Sequence, residues 1–224
     1  ANRIQAFTTR FFNWCVSRDL LTVSPANGIA KSKTETSRDR VLSKDELLRI
    51  YNATYEMSYP FGPLLRILTL TGQRLNEVAG ATWTEIDLNT EKWELPRGRS
   101  KNKTSHIVHL SGPVLNELSN LINPMGHELI FTTTGVSPVS GFSKAKKKLD
   151  EISGVTNWRL HDLRRTFATV ATETLGYEPV VVDRVLNHIN GSVKGIAAVY
   201  QKGQYLDKRK TVLNAWANYI HSPK

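Results

Sequence analysis

Residues 83 to 110 interrupt an otherwise helical sequence, and that interruption limits the folds open to the chain. Ile86-Asp87-Leu88, a polar turn at Asn89-Thr90, Lys92-Trp93-Glu94-Leu95 and Ile107-Val108-His109-Leu110 are short runs of alternating polarity. A period of two sends successive side chains to opposite faces of a strand, so the segment predicts about three antiparallel strands. Elsewhere the apolar spacing is helical. Ile4, Phe7, Phe11 and Cys15 form a stripe at intervals of three and four residues, in a helix that ends before Ser24-Pro25. Ser43 with Glu46 reads as a capping box opening a helix to about Met57, and Pro63 suits the first turn of another running toward Thr71. Further helices are predicted over 112–122, 140–152, 161–175, 179–187 and 204–220. The expected class is mainly α with a small antiparallel β-sheet (α+β).

Residues 31–40 carry no apolar side chain and cannot join a core, so they predict a linker between a short segment, 1–30, and a domain over 41–224. A chain of 224 residues with 40% hydrophobic content suits one full domain plus a small appendage. It starts at Ala1 inside what reads as a helix, and is expected to be a piece of a longer protein.

The formal charge of +10 is concentrated in runs: Arg97, Arg99, Lys101 and Lys103; Lys144, Lys146, Lys147 and Lys148; Lys208, Arg209 and Lys210. Any one run is as readily a solvated face, but together they favour a polyanion, because each phosphate neutralised releases condensed counterions. Nucleic acid is the expected partner. One cysteine, Cys15, excludes an internal disulfide framework. With no long uncharged apolar run and no signal-like start, a cytoplasmic protein without a membrane partner is expected. The sequence holds no Walker loop, acidic metal cluster or zinc-ligand spacing, so neither a cofactor nor a metal is expected.

The chemistry-bearing residues lie far apart. On a helix over 161–175, Leu163, Phe167, Val170 and Thr174 would form the buried stripe. Arg164 borders that stripe and can present its fork at a cleft edge, whereas Arg165 points away, toward solvent or a DNA backbone. His161 sits one turn before Arg164. Arg74 follows Thr71-Gly72, with Glu77 three residues on, a spacing that by itself gives only an exposed ion pair. Lys101 and Lys103 share a basic loop between strands; His188 ends an apolar helix, where a histidine can simply stabilise the carboxyl end. Tyr200 follows Ala197-Ala198-Val199 and would by default be a core residue, and Tyr205 competes with it.

In their order along the chain, Arg74, His161-x-x-Arg164, His188 and Tyr200 resemble the catalytic domain of the tyrosine recombinases, in particular the integrases of phages and genomic islands. The resemblance covers about residues 41–221, with residues 1–30 similar to the tail of the core-DNA-binding domain that lies upstream in such enzymes. It implies an integrase-like fold and site-specific recombination through a 3'-phosphotyrosine intermediate. Arg74 and Arg164 would grip the scissile phosphate, which suits guanidinium because its planar donors reach two oxygens and never lose their charge. Glu77 would orient Arg74. The resemblance also assigns His188 a hydrogen bond to phosphate, Lys103 the proton for the departing oxygen, His161 proton transfer at the tyrosine, and Tyr200 the attack.

Arg99, Lys101, Lys144, Lys147 and Arg165 are expected on the DNA backbone. The implied partners are double-stranded DNA attachment sites, a homotetramer on that DNA and an excision accessory protein. The helix over 204–220 is expected to dock on a neighbouring subunit, so that deleting it would spare the fold. Asn76 and Asn187 stand where glycine is common in the family's motifs; asparagine tolerates left-handed backbone better than most residues. Two other readings share these residues: a type IB topoisomerase-like enzyme that relaxes supercoils, and a non-catalytic DNA-binding regulator.

Overall fold

The computed structural model describes residues 2–30, 39–121, 126–188 and 205–222. The chain divides into two compact units, residues 1–39 and 40–224. In the first, α1 (Asn2–Ser17) buries Cys15 of the expected stripe, while Ile4, Phe7 and Phe11 stand exposed. The helix is tied to the segment that follows it by Gln5 Nε2, which donates to the Ile29 carbonyl at 2.6 Å.

The second unit opens with α2 (Lys44–Ala53), and its capping box is formed: Ser43 Oγ accepts from the Glu46 amide at 3.2 Å while Glu46 Oε2 accepts from the Ser43 amide at 2.9 Å. The helix is shorter than the predicted run to Met57, because a 3-10 turn at Thr54–Glu56 tightens its end. Next comes α3 (Phe61–Thr71), buried from Gly62 to Thr71. A helix apolar on every side belongs in the middle of a core, and α3 is packed by neighbours all round. It ends at Gly72, in left-handed backbone with φ +63°, and a Cβ there would lie 3.0 Å from the Phe167 ring. Conformation and space both require glycine.

After α4 (Leu75–Ala79) the predicted strands form as β1 (Ile86–Asp87), β2 (Lys92–Leu95) and β3 (His106–His109), antiparallel in the order β1-β2-β3, with Trp93 opposite Val108. Helices α5 (Gly112–Ser119), α6 (Phe142–Ser153), α7 (Leu160–Thr169) and α8 (Pro179–Val185) follow, then α9 (Leu206–His221). The architecture is mainly helical with one small sheet, as expected.

Two expectations are corrected. The helix predicted over 161–175 stays α-helical only to Thr169; Val170–Thr174 form a π turn, closed by the Leu175 amide donating to the Val170 carbonyl at 2.9 Å. The extra residue shifts the phase, so Ala171 is buried and Thr174 is exposed. Helix α9 is part of its own chain's fold, so its deletion would not spare that fold. Val212, Leu213, Trp216, Ala217 and Ile220 are buried in the chain's own core, and Trp216 Nε1 donates to the Thr69 carbonyl of α3 at 2.8 Å. No helix of the described residues is long and apolar enough to cross a membrane.

Candidate active site

The last turn of a helix leaves carbonyls without intrahelical partners, and here those of α8 become the meeting point of side chains from across the sequence. The helix ends in a Schellman motif. Asn187 adopts φ +50°, its amide donates to the Arg184 carbonyl at 3.2 Å, and the His188 amide donates to the Asp183 carbonyl at 2.8 Å. That geometry turns the carbonyls of Val185, Leu186 and Asn187 outward, at the negative end of the helix dipole.

Each of the three is claimed. Val185 O accepts from Gln73 Nε2 and from His106 Nε2, both at 3.0 Å. Leu186 O accepts from Arg164 Nη2. Asn187 O accepts from Arg74 Nη2 at 3.1 Å and from Asn102 Nδ2. Arg164 Nη1 also donates to the Gly72 carbonyl at 2.9 Å, so the glycine that ends α3 supplies an anchor as well as a turn.

Arg74 caps α4, its backbone extended and its Nη1 donating to Glu77 Oε1 at 3.1 Å. Glu77 is 3% exposed, and the same Oε1 accepts from the Lys101 amide at 3.2 Å. Arg164 is buried more deeply than a cleft-edge position predicts, at 3% exposure. Desolvation first, and then repulsion from Arg74, bring its pKa down to about 10, so it stays charged at neutral pH. A guanidinium has five N–H donors, and the two carbonyl bonds of Arg164 leave others for an anion.

His188 Nδ1 lies 3.0 Å from Asp183 Oδ1, so one residue receives both the backbone amide and the ring of His188. Partial desolvation lowers the His188 pKa below the ordinary histidine range, Asp183 opposes that fall, and Arg164 and Arg74 add to it. With Nδ1–H held by the carboxylate, the neutral ring presents Nε2 as an acceptor and the protonated ring presents a second donor. His161 opens α7 as an exposed side chain; desolvation, then Arg164 and Arg165, push its pKa down, and His188 adds a smaller repulsion.

Arg74, Glu77, Arg164, His161 and His188 are thus brought together from three elements, α4, α7 and the end of α8. Lys103 sits exposed on the adjoining β2–β3 loop at φ +53°, and Lys101, also exposed, touches the cluster through its backbone amide. Arg165 is half-buried beside His161. Lys144 and Lys147 stand exposed on α6, which packs on α2, an element that lends no side chain to the cluster. Arg99, expected on DNA, has its guanidinium engaged within the fold: Nε donates to Glu85 Oε1 at 2.6 Å, Nη2 pairs with Glu85 Oε2, and Nη1 and Nη2 both reach the Glu77 carbonyl at 3.3 Å. Tyr200 lies outside the described residues; its rival Tyr205 is half-buried against the core.

Gln73, Asn102, His106 and Asp183 were not singled out by sequence reasoning. Strand alternation could have found His106, which shares the buried face of β3 with Val108. Asp183 precedes His188 by five residues, a spacing that no regular helix face brings together, so nothing in the sequence marked it.

The sequence model of the phage integrase family matches residues 40–200. Among curated relatives, the chain is 24% identical over 226 residues to prophage integrase IntZ of Escherichia coli, an alignment covering 99% of this chain and 56% of the relative. It is 26% identical over 252 residues to the putative protein IntB of the same organism, covering 98% of this chain and 60% of that one. The chain therefore spans little more than half the length of these relatives. Among solved structures it is similar to a lambda integrase tetramer bound to a Holliday junction, with a TM-score of 0.63 at 17% identity, covering 87% of this chain and 60% of that one.

Proposed function

The chain belongs to the phage integrase family, and from that premise we propose that it catalyses site-specific DNA recombination, integrating or excising a mobile element through a 3'-phosphotyrosine intermediate. The observation that carries the reading is the convergence of Arg74 and Arg164 on the adjacent carbonyls of Asn187 and Leu186, with His188 next in the chain. Two fixed cations and a histidine at one place suit a phosphodiester whose non-bridging oxygens gain charge during displacement.

In this reading Tyr200 attacks the phosphorus, and His161 assists removal of the phenolic proton. A phenol of pKa about 10 is a poor nucleophile unless its proton is taken or its anion stabilised nearby. Arg74, Arg164 and His188 hold the phosphate, Glu77 orients Arg74, and Lys103 protonates the departing 5'-oxygen. The covalent link retains a phosphoester, so a 5'-hydroxyl from another strand reverses the step and no ATP is consumed. Lys101, Lys144, Lys147 and Arg165 serve the DNA backbone.

The partners proposed are double-stranded attachment-site DNA, further copies of the chain in a tetramer on that DNA, as in the lambda integrase assembly, and an excision accessory protein. The cytoplasm is the proposed compartment, and residues 1–30 are read as the end of a core-DNA-binding domain joined through 31–40 to the catalytic domain.

The test is covalent capture from a pool of nicked duplexes of randomised sequence, in which cleavage frees a short strand and traps the enzyme. Attachment should be lost in Tyr200→Phe, and mass spectrometry of the trapped peptide should name Tyr200. Capture that survives Tyr200→Phe would refute the assignment. A type IB topoisomerase would relax supercoils without joining captured sites, and a regulator would bind without ever becoming attached. Binding should weaken steeply with salt.

A further inference from the structure

The three residues before Lys103 are each fastened to the arginine cluster. Ser100 Oγ accepts from Asn187 Nδ2 at 3.1 Å, the Lys101 amide donates to Glu77 Oε1 at 3.2 Å, and Asn102 Nδ2 donates to the Asn187 carbonyl. The Lys103 amide then closes a turn onto the Ser100 carbonyl at 3.0 Å. Ser100 is 4% exposed while Lys103 is open to solvent, so the loop is docked at its base and presents its lysine.

Asn187 takes part in two of those bonds. Its backbone, at φ +50°, asks only for a residue that tolerates the left-handed region. Glycine would make the same helix cap and offer the same carbonyl to Arg74 and Asn102. What glycine lacks is the side-chain amide that reaches Ser100. The cap therefore accounts for the backbone at 187, and the loop accounts for the side chain.

We propose that Asn187 is a positioning residue for Lys103: with Ser100 and Asn102 it holds the β2–β3 loop on the arginine pair before DNA arrives. The proposal rests on the strand-transfer reading. In that reaction the tyrosine oxygen bonds to phosphorus as the P–O5' bond breaks, the broken pair stays on O5', and the Lys103 ammonium supplies the proton that makes a 5'-hydroxyl. A docked loop confines the ammonium near that oxygen, whereas a loose one leaves proton delivery to chance encounter.

The test uses Asn187→Gly, Ser100→Ala and Asn102→Ala in the full chain, on a duplex recovered by covalent capture and made with either oxygen or sulfur at the bridging 5' position. A thiolate leaves without a proton near neutral pH. Each variant should cleave the oxygen substrate roughly tenfold more slowly, the order expected from one lost hydrogen bond, and the sulfur substrate at the wild-type rate. Lys103→Met should show the same split more strongly, and Asn187→Gly with Ser100→Ala should be no worse than the poorer single variant. Equal loss on both substrates, or no loss on either, overturns the proposal.

Hydrogen exchange on the DNA-free chain gives a second reading. The Lys101 and Lys103 amides should exchange faster in Asn187→Gly while α3 is unaffected, and unchanged exchange would also overturn the proposal. If wild-type protein captures no duplex, the strand-transfer reading itself has failed, and the exchange measurement alone still reports whether the loop is docked.

Discussion

Arg164 and Arg74 donate to the carbonyls of neighbouring residues, Leu186 and Asn187, although the two arginines enter from different helices. The spacing of their guanidiniums is therefore set by one peptide unit of the α8 cap. A lysine at either position keeps the charge but cannot hold a carbonyl and a phosphate with the same planar fork. Arg74→Lys and Arg164→Lys should each cut the rate of covalent attachment by about 10²–10³-fold, the range for losing one preorganised donor to a developing oxyanion. Single-turnover attachment rates check this, with circular dichroism confirming that the fold survives.

Asp183 supports the protonated state of His188, against desolvation and the two arginines that depress it. Removing the carboxylate charge in Asp183→Asn should move the His188 titration to still lower pH. Imidazole resonances followed by NMR from pH 8 to 4 would show the displacement, and an upward move would mean that Asp183 does not face the ring as described.

His106 is buried on β3, with Nε2 toward the Val185 carbonyl and Nδ1 3.3 Å from Arg209 Nη2. Desolvation, reinforced by Arg209, lowers its pKa from 6.5 to about 3. The sign follows from which state binds the proton. Above pH 6.5 both folded and unfolded chains hold a neutral ring; between 6.5 and about 3 only the unfolded chain is protonated, so stability falls as the pH is lowered. The slope is about 1.4 kcal/mol per pH unit for this one group. Urea unfolding at pH 6, 5 and 4 should show wild type losing close to that much more per unit than His106→Gln, and parallel curves would sink the assignment.

Trp216 is fully buried on α9, edge to face with Phe167 at 5.2 Å between centroids and stacked on Tyr219 at 5.7 Å. Trp216→Ala should destabilise the second unit by about 3–5 kcal/mol, as expected for removing a large buried aromatic. Deletion of residues 206–221 should unfold that unit. Retention of a cooperative thermal transition after the deletion would restore the expectation that the fold survives without α9.

Signals confined to a few neighbouring residues were legible. Ser43 and Glu46 make their capping box, Gly72 ends α3 in left-handed backbone, the three strands appear where the alternation changes, and Asn187 adopts the left-handed conformation for which asparagine is suited. The order of arginines and histidines marked the family as well. The length of the α-helix beginning at Leu160 was not legible, because the π turn at Val170–Thr174 adds a residue that periodicity does not record.

By itself, then, the sequence determined the helices, the small sheet, the caps and the identity of most candidate site residues, since propensities and capping act over about one turn of chain. Tertiary structure alone decided what those side chains hold. Arg99 closes on Glu85, α9 enters the core, and Gln73, Arg74, Asn102, His106 and Arg164 meet on the open carbonyls of α8. A helix end advertises unpaired carbonyls without naming its donors, and which distant groups reach them is settled only when the core has packed.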